Sequence, residues 1–242
     1  MSERFRPCAI VPTYDNPATV GAVVERVRAR VPDVIVVDDG SGEPGRRAVE
    51  ALASAPGVRV HRRAKNGGKG AAVKDGFRIA RRLNFTHALQ VDADGQHDLG
   101  DIPRFLEAAR ARPGALILGS PLFDASAPRA RVIGRRITRF WARIETGGRP
   151  AIGDPLCGFR VYPLDAAIRA NARGNAMDFD PEIAVRMVWA GAPVVNLPTR
   201  VRYFSREEGG VSHFRAVRDD ALISWMHTRL VVGALARVFL RK

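Results

Sequence analysis

The segment Ala88-Leu89-Gln90-Val91-Asp92-Ala93-Asp94-Gly95-Gln96-His97-Asp98 sets closely spaced carboxylates and an amide directly after a short apolar run. Burying ionised carboxylates is costly unless a cation or a donor compensates them, so Asp92 and Asp94 are expected where a strand opens into a cleft. Side chains alternate along extended chain, which puts Asp92, Asp94 and Gln96 on one side. Three oxygen-bearing side chains at a strand end are what a hard divalent cation such as Mg²⁺ or Mn²⁺ requires. The same residues also read as a solvated acidic loop, and the rest of the chain bears on that choice.

A second acidic pair, Asp38-Asp39-Gly40-Ser41, closes the apolar run Val34-Ile35-Val36-Val37. Alone it is a turn capped by Asp. Beside the later pair it becomes a carboxylate able to accept from a base N–H or a ribose hydroxyl, while the later pair holds a metal bridging a diphosphate: the outline of a nucleotide-sugar site. Gly67-Gly68-Lys69-Gly70 lacks the GxxxxGK[ST] spacing, and no GxGxxG follows the first apolar run, which argues against a Walker-type NTPase and a dinucleotide fold. Those glycines either permit a tight entry into a helix or bring backbone against a phosphate. Asp180 and Glu182 open an expected helix, where they either favour its N-terminus or act as a general base toward a hydroxyl acceptor.

The elements that must carry these residues follow from short apolar runs alternating with helical stretches. Strands are expected at Cys8 to Val11, Val34 to Val37, Val58 to His61, Ala88 to Val91 and Leu116 to Gly119. Between them lie helices from an Asn16-Pro17 start through Arg30, over Pro44 to Ala53, to Arg82, and over Leu99 to Arg110. This order predicts an α/β fold with a mostly parallel, doubly wound sheet, whose ligands bind at the carboxyl ends of the strands. The second half is less regular: a helix from Arg131 to Glu145, another opening at Phe179 and running to Trp189, and a strand at Val194 to Val201. The polar stretch Tyr203 to His213 suits a mobile loop, and Ser120 to Pro128 reads as loose chain. Residues 1–215 are taken as one domain and 216–242 as a C-terminal amphipathic helical tail.

A net charge of +14 over 242 residues calls for an anionic partner. Nucleic acid is disfavoured, because the arginines are spread along the chain and aromatics for stacking make up only 7% of it. Cys8 and Cys157 are far apart and outside any CxxC or Cys/His cluster, so neither a disulfide framework nor a zinc site is expected. No secretory apolar segment follows Met1, which points to the cytoplasm. The stretch from Ala221 to Leu240 is interrupted by His227, Arg229 and Arg237, so lying in a membrane interface fits it better than spanning. In that reading Leu222, Trp225, Met226 and Leu230 face lipid and basic residues meet anionic headgroups; the alternative is a helix packed on the protein's own core.

Taken in order, the motifs resemble those of the family 2 glycosyltransferases of the GT-A fold, in the branch of dolichol-phosphate mannosyltransferase and other polyprenyl-phosphate glycosyltransferases. Ile10-Val11-Pro12-Thr13-Tyr14 is similar to the opening strand motif and Val36-Val37-Asp38-Asp39-Gly40-Ser41 to VDDxS. Asn66-Gly67-Gly68-Lys69-Gly70 is similar to NxGKG, Asp92-Ala93-Asp94-Gly95-Gln96-His97 to DADxQH, and Asp154 with Cys157-Gly158-Phe159-Arg160 to D…GFR. The resemblance implies that Pro12, Tyr14, Asp15 and Asp39 meet the base and ribose, and that Lys69, Asp92 and Ala93 line the donor site. Asp94 and Gln96 then ligate Mg²⁺ or Mn²⁺, and Arg131 and Arg160 clamp phosphate oxygens. Ser212 and His213 sit in a loop resembling GxSK that closes over the diphosphate, with His213 where the branch has Lys. Pro121 likewise stands where an arginine is usual.

The activity implied is metal-dependent inverting transfer from a UDP- or GDP-sugar to a lipid-linked or polyprenyl-phosphate acceptor at the cytoplasmic membrane face, with an anionic membrane surface as partner. A soluble or protein acceptor is the alternative within the class. A sugar nucleotidyltransferase, or a basic nucleic-acid-binding protein, is the alternative outside it.

Overall fold

The computed structural model describes residues 5–123, 129–148, 152–202 and 216–239. The first half alternates strand and helix: β1 (Pro7–Thr13), α1 (Val20–Arg28), β2 (Val34–Asp38), α2 (Glu43–Glu50), β3 (Val58–Arg62), α3 (Lys69–Arg82), β4 (His87–Gln90) and α4 (Ile102–Ala111). The second half adds β5 (Leu116–Phe123), α5 (Arg129–Glu145), β6 (Arg160–Pro163), α6 (Leu164–Ala170), α7 (Phe179–Trp189), β7 (Val194–Val201) and α8 (Ala216–Phe239). The seven strands form one sheet in the order β3-β2-β1-β4-β6-β5-β7, parallel except for β6, which runs against both its neighbours.

The central strands read as unbroken apolar runs because both faces of the sheet are covered. Along β1 and β2, Cys8, Ile10, Ile35 and Val37 pack with Phe77 of α3 and Phe179 and Ile183 of α7. The alternating residues Ala9, Val11, Val34 and Val36 pack with Val20, Val24 and Val27 of α1 and with Ile102 and Phe105 of α4. Each such apolar side chain contributes about 1.5–3 kcal/mol on burial. Together they hold the strand ends of β1, β2 and β4 in register, with Thr13 beside Asp38 and Val91 N–H donating to the Ile10 carbonyl.

Four features depart from the expected layout. Helix α1 begins at Val20, with Thr19 at its N-cap position, and not beside Asn16, whose Nδ2 donates to the Tyr14 carbonyl at 2.9 Å. Strand β5 continues through Phe123, paired with β7 as far as Val201, where loose chain was expected from Ser120. The pair β6 and α6 went unread; β6 is only four residues and follows directly on the Gly158-Phe159 motif. In α8, Met226 and Leu230 are 0% and 2% exposed, whereas Trp225 is 61% and Phe239 73% exposed. Met226 and Leu230 therefore pack on the domain instead of facing outward, because α8 lies across α5 and α7. His227 Nδ1 bonds Glu145 Oε1 at 2.6 Å and Arg237 reaches the Trp189 carbonyl.

Helices α3 and α7 meet most closely at Gly70, where a Cβ would run into the Phe179 side chain. Gly70→Ala should therefore lower the unfolding free energy by about 1–3 kcal/mol, read from the midpoint of urea denaturation; an unchanged midpoint would show that the two helices part freely.

Candidate active site

Asp39 directly follows β2, with both oxygens engaged. It accepts from the Gly67 and Gly68 amides at 3.0 and 2.7 Å and pairs with Arg63, which also holds Asp75. The glycine amides before α3 are thus committed to a carboxylate of the protein, which selects the tight helix entry over phosphate contact. Asp38 turns the other way and closes the loop through the Ser41 amide and hydroxyl.

The entry of α3 delivers Lys69, and here three segments meet. Lys69 Nζ donates to Asp92 Oδ2 at 2.8 Å and lies 2.8 Å from Asp180 Oδ2. Asp92 Oδ1 is equally near Nζ yet has no aligned donor among the described residues. Burial opposes the charge on Lys69, but Asp180 and then Asp92 more than offset it and keep the ammonium protonated. Burial would likewise push the Asp92 carboxyl up; the Lys69 ammonium, and after it His97, hold it well below the usual carboxylate range. Asp180 Oδ1 in turn accepts from Gln90 Nε2 at 3.2 Å, and Gln90 Oε1 accepts from the Tyr162 hydroxyl at 3.2 Å. The loop before β6 presses on this group: a Cβ at Gly158 would collide with the Asp92 carboxylate.

Beyond Asp92 the chain turns instead of staying extended. Gln96 N–H donates to Asp94 Oδ1 at 3.0 Å, and the Ala93 carbonyl accepts from the Thr19 hydroxyl at 2.6 Å. The turn, not strand alternation, brings Asp94 and Gln96 to the same cleft as Asp92. Its far side is tied to β7, with Arg202 N–H on the Gln96 carbonyl and His97 bridged to Val201. His97 stacks on Phe159 at 5.4 Å and points Nε2 at Asp92 from 3.6 Å. Burial, and after it the charge of Asp92, push the Asp94 carboxyl above its ordinary value.

Pro12, Tyr14, Asp39, Lys69, Asp92, Ala93, Asp94, Gln96, Arg131 and Asp180 all line one cleft of about 1480 Å³. Among the described residues, Asp15, Arg160 and Glu182 do not. Arg160 is wholly buried beneath the cleft, and its three nitrogens donate to the carbonyls of Cys157, Pro155 and Asp180 at 2.6–2.8 Å. With every arm of the guanidinium on backbone, it braces the loop and is not a phosphate clamp. Glu182 is also buried, accepting from the Gly174 amide and from Arg186 Nε, so it fastens the start of α7 and cannot serve as a base in the cleft. Asp15 accepts from the Gly42 amide and holds the β1 and β2 loops together. Ser212 and His213 lie outside the described residues.

Several residues of the site were not read from the sequence. Gln90 and Tyr162 look like ordinary strand residues, and only the antiparallel pairing of β4 with β6 brings them together. His97 falls on the opposite side from Asp92 in extended chain, and the turn returns it. Helices α5 and α8 also line the cleft, with apolar Ile137, Trp141, Ile223 and Val231 beside polar residues that include Arg135, Thr138, Asp219, Asp220 and His227. That wall could be seen only once α5 and α8 were known to pack together.

A model of the glycosyl transferase family 2 matches residues 8–168, and the chain belongs to this family. It is 30% identical over 230 residues to the undecaprenyl-phosphate mannosyltransferase of Micrococcus luteus, covering 91% of this chain and 92% of that protein. It is also 30% identical to the polyprenol monophosphomannose synthase of Mycolicibacterium smegmatis, over 86% of this chain and 80% of that one. Among solved structures, glucosyl-3-phosphoglycerate synthase from Mycobacterium tuberculosis in complex with Mn²⁺ and UDP-glucose aligns with a TM-score of 0.68 at 15% identity, over 96% of this chain and 78% of that chain. That likeness is one of fold. The expected α/β architecture and glycosyltransferase class are therefore both found.

A carboxyl whose folded pKa is raised adds stability only while protonated, and loses it as pH rises through the folded value. Ionised Asp94 thus works against the ligand-free fold at neutral pH. Asp94→Asn should raise the metal-free Tm by a few degrees at neutral pH, the gain shrinking as pH falls through the carboxyl range, as followed by differential scanning calorimetry. A lower Tm for the variant at neutral pH would contradict this assignment.

Proposed function

We propose that the chain transfers a hexose from a UDP- or GDP-sugar to a polyprenyl phosphate at a bilayer surface, with inversion at the anomeric carbon. The observation that carries this reading is the lining of the cleft. Carboxylates and Lys69 come from the strand-end loops and the start of α7, while α5 and α8 add Ile133, Ile137, Trp141, Ile223, Val231 and Val232 to the same lining. The volume exceeds the roughly 300–1,000 Å³ of a pocket for one small ligand, leaving room for a donor and part of a lipid acceptor. The names of the 30%-identical relatives support the same acceptor class.

At the strand ends, Pro12, Tyr14 and Asp39 would receive the nucleoside, and Asp92 and Ala93 would lie along the donor. A phosphate oxygen of the acceptor attacks the anomeric carbon. As the new C–O bond forms, the bond to the diphosphate breaks and its electron pair leaves on the diphosphate. The nucleophile is already ionised at neutral pH, so no proton changes hands.

The residues present fit a divalent cation. Asp92 Oδ1 is buried without an aligned donor, and Asp94 is strained by burial and by Asp92, both of which a cation would relieve. Among the described residues no three His, Cys, Asp or Glu side chains cluster to hold an ion alone, so donor phosphate oxygens would complete a set built on Asp94 and Gln96. Bound Mn²⁺ or Mg²⁺ would supply Lewis-acid stabilisation of the leaving diphosphate. Thermal-shift measurements with UDP- and GDP-sugars should give a Tm increase that needs Mn²⁺, with radiolabelled hexose then passing to a polyprenyl phosphate. Stabilisation by RNA or DNA alone would reject the reading.

The outer faces of α5 and α8 support the membrane side of the proposal. Phe140 on α5, and Trp225, Leu235 and Phe239 on α8, lie outside the cleft lining and are each more than half exposed, and Arg136, Arg139 and Arg143 accompany them. Helix α8 is long and apolar enough to cross a bilayer by length and composition, but its Met226 and Leu230 pack on the domain. An interfacial position seats both helices at once, with arginines at anionic headgroups. In co-sedimentation with phosphatidylglycerol vesicles, Phe140→Ser and Phe239→Ser together should weaken binding several-fold without changing Tm. Equal binding by the variant, or equal binding of the wild type to neutral phosphatidylcholine, would count against it.

A further inference from the structure

Asp180 is the remaining carboxylate expected to act as a base, and its surroundings assign it other work. One oxygen is 2.8 Å from Lys69 Nζ, the other takes the Gln90 amide, and its backbone carbonyl takes Arg160 Nη1. Its side chain is 5% exposed. Both oxygens are thus engaged by donors of the protein, and Gln90 is itself fixed by Tyr162 at the centre of the sheet. Lys69 is placed the opposite way. Its ammonium lies 2.8 Å from an oxygen of each of Asp92 and Asp180, and Lys69 lines the cleft beside them.

We propose that Lys69 is the catalytic residue that meets the phosphate oxygens between donor and acceptor, and that Asp180 is a positioning residue that aims the Lys69 ammonium. The assignment rests on the polyprenyl-phosphate reading above. Asp92 and Asp180 approach from β4 and α7, so Lys69 stands where the strand ends meet the α7 side of the cleft. Without the ammonium, these two carboxylates would repel any phosphate entering the cleft; with it, the same carboxylates fix a cation against the charge that gathers on the diphosphate as the bond breaks. Tyr162 and Gln90 extend the arrangement into the core as a chain of buried polar side chains across the β4–β6 pair.

The test compares Asp180→Asn, Lys69→Met and Lys69→Arg in steady-state transfer to a polyprenyl phosphate, with donor binding followed in parallel by calorimetry. An asparagine still accepts from Lys69 or Gln90, so Asp180→Asn should change kcat by less than about tenfold, raise the acceptor KM, and leave the shape of the pH profile unaltered. Lys69→Met should lower kcat at saturating donor by about 10²–10³-fold, the scale of losing one charge-stabilising donor, and Lys69→Arg should recover part of it. A base would behave otherwise: Asp180→Asn would cost about 10²–10⁴ and abolish the acidic limb of the profile, while Lys69→Met would retain kcat. Either of those results overturns the assignment, and the lysine variants decide it should Asp180→Asn fold poorly. Donor binding by the wild type with no transfer to any polyprenyl phosphate would overturn the acceptor reading along with it, whereas collapse of Asp180→Asn alone would leave that reading standing.

Discussion

Three stretches of chain, the outer two more than a hundred residues apart, meet at one ammonium group. Asp92 follows β4, Asp180 opens α7, and Lys69 begins α3; bringing two carboxylates into a buried site is tolerable only because Lys69 lies between them. The placement of the other parts follows from that requirement. Helix α3 must start where it does, so the Gly67 and Gly68 amides turn onto Asp39, and Gly70 lets α7 come close enough for Asp180 to reach. The sheet order that sets β6 against β4 then supplies Gln90 and Tyr162 to hold Asp180 from behind.

Arg160 shows how the same constraint is met one layer deeper. The loop from Pro155 to Phe159 carries carbonyls that no helix or strand satisfies, and an unpaired buried carbonyl costs about 1–3 kcal/mol. One guanidinium answers Pro155, Cys157 and Asp180 at once, and Arg135 on Asp154 secures the loop's other end. The loop can then lie flat against Asp92, where only a glycine at 158 fits. An arginine in a conserved-looking motif therefore acts on the substrate site indirectly, by setting the loop that shapes it.

What could be read from the sequence was what depends on local pattern. Runs such as Val34 to Val37 announce a strand covered on both faces, and carboxylates at the ends of such runs announce a cleft, so the fold class and the strand-end carboxylates of the cleft were legible. The misreadings have a common cause in tertiary direction. Arg160 and Glu182 carry the right chemistry for a phosphate clamp and a base, yet both point inward, and nothing in their spacing distinguishes a guanidinium aimed at carbonyls from one aimed at a ligand. His97 was hidden because strand alternation was extended past Asp92 into what is a turn. Met226 and Leu230 were assigned outward because a lone helix does not reveal which of its apolar stripes finds a partner.

The packing of α8 resolves that last ambiguity by using both stripes. Its inner strip meets α5 and α7 through Met226, Leu230 and the buried His227–Glu145 pair, while Trp225, Leu235 and Phe239 stay outside. Because α5 is left with exposed apolar side chains of its own, the two helices form one surface whose inner edge is also the wall of the cleft. Whatever that surface rests on is therefore contiguous with the route to Lys69.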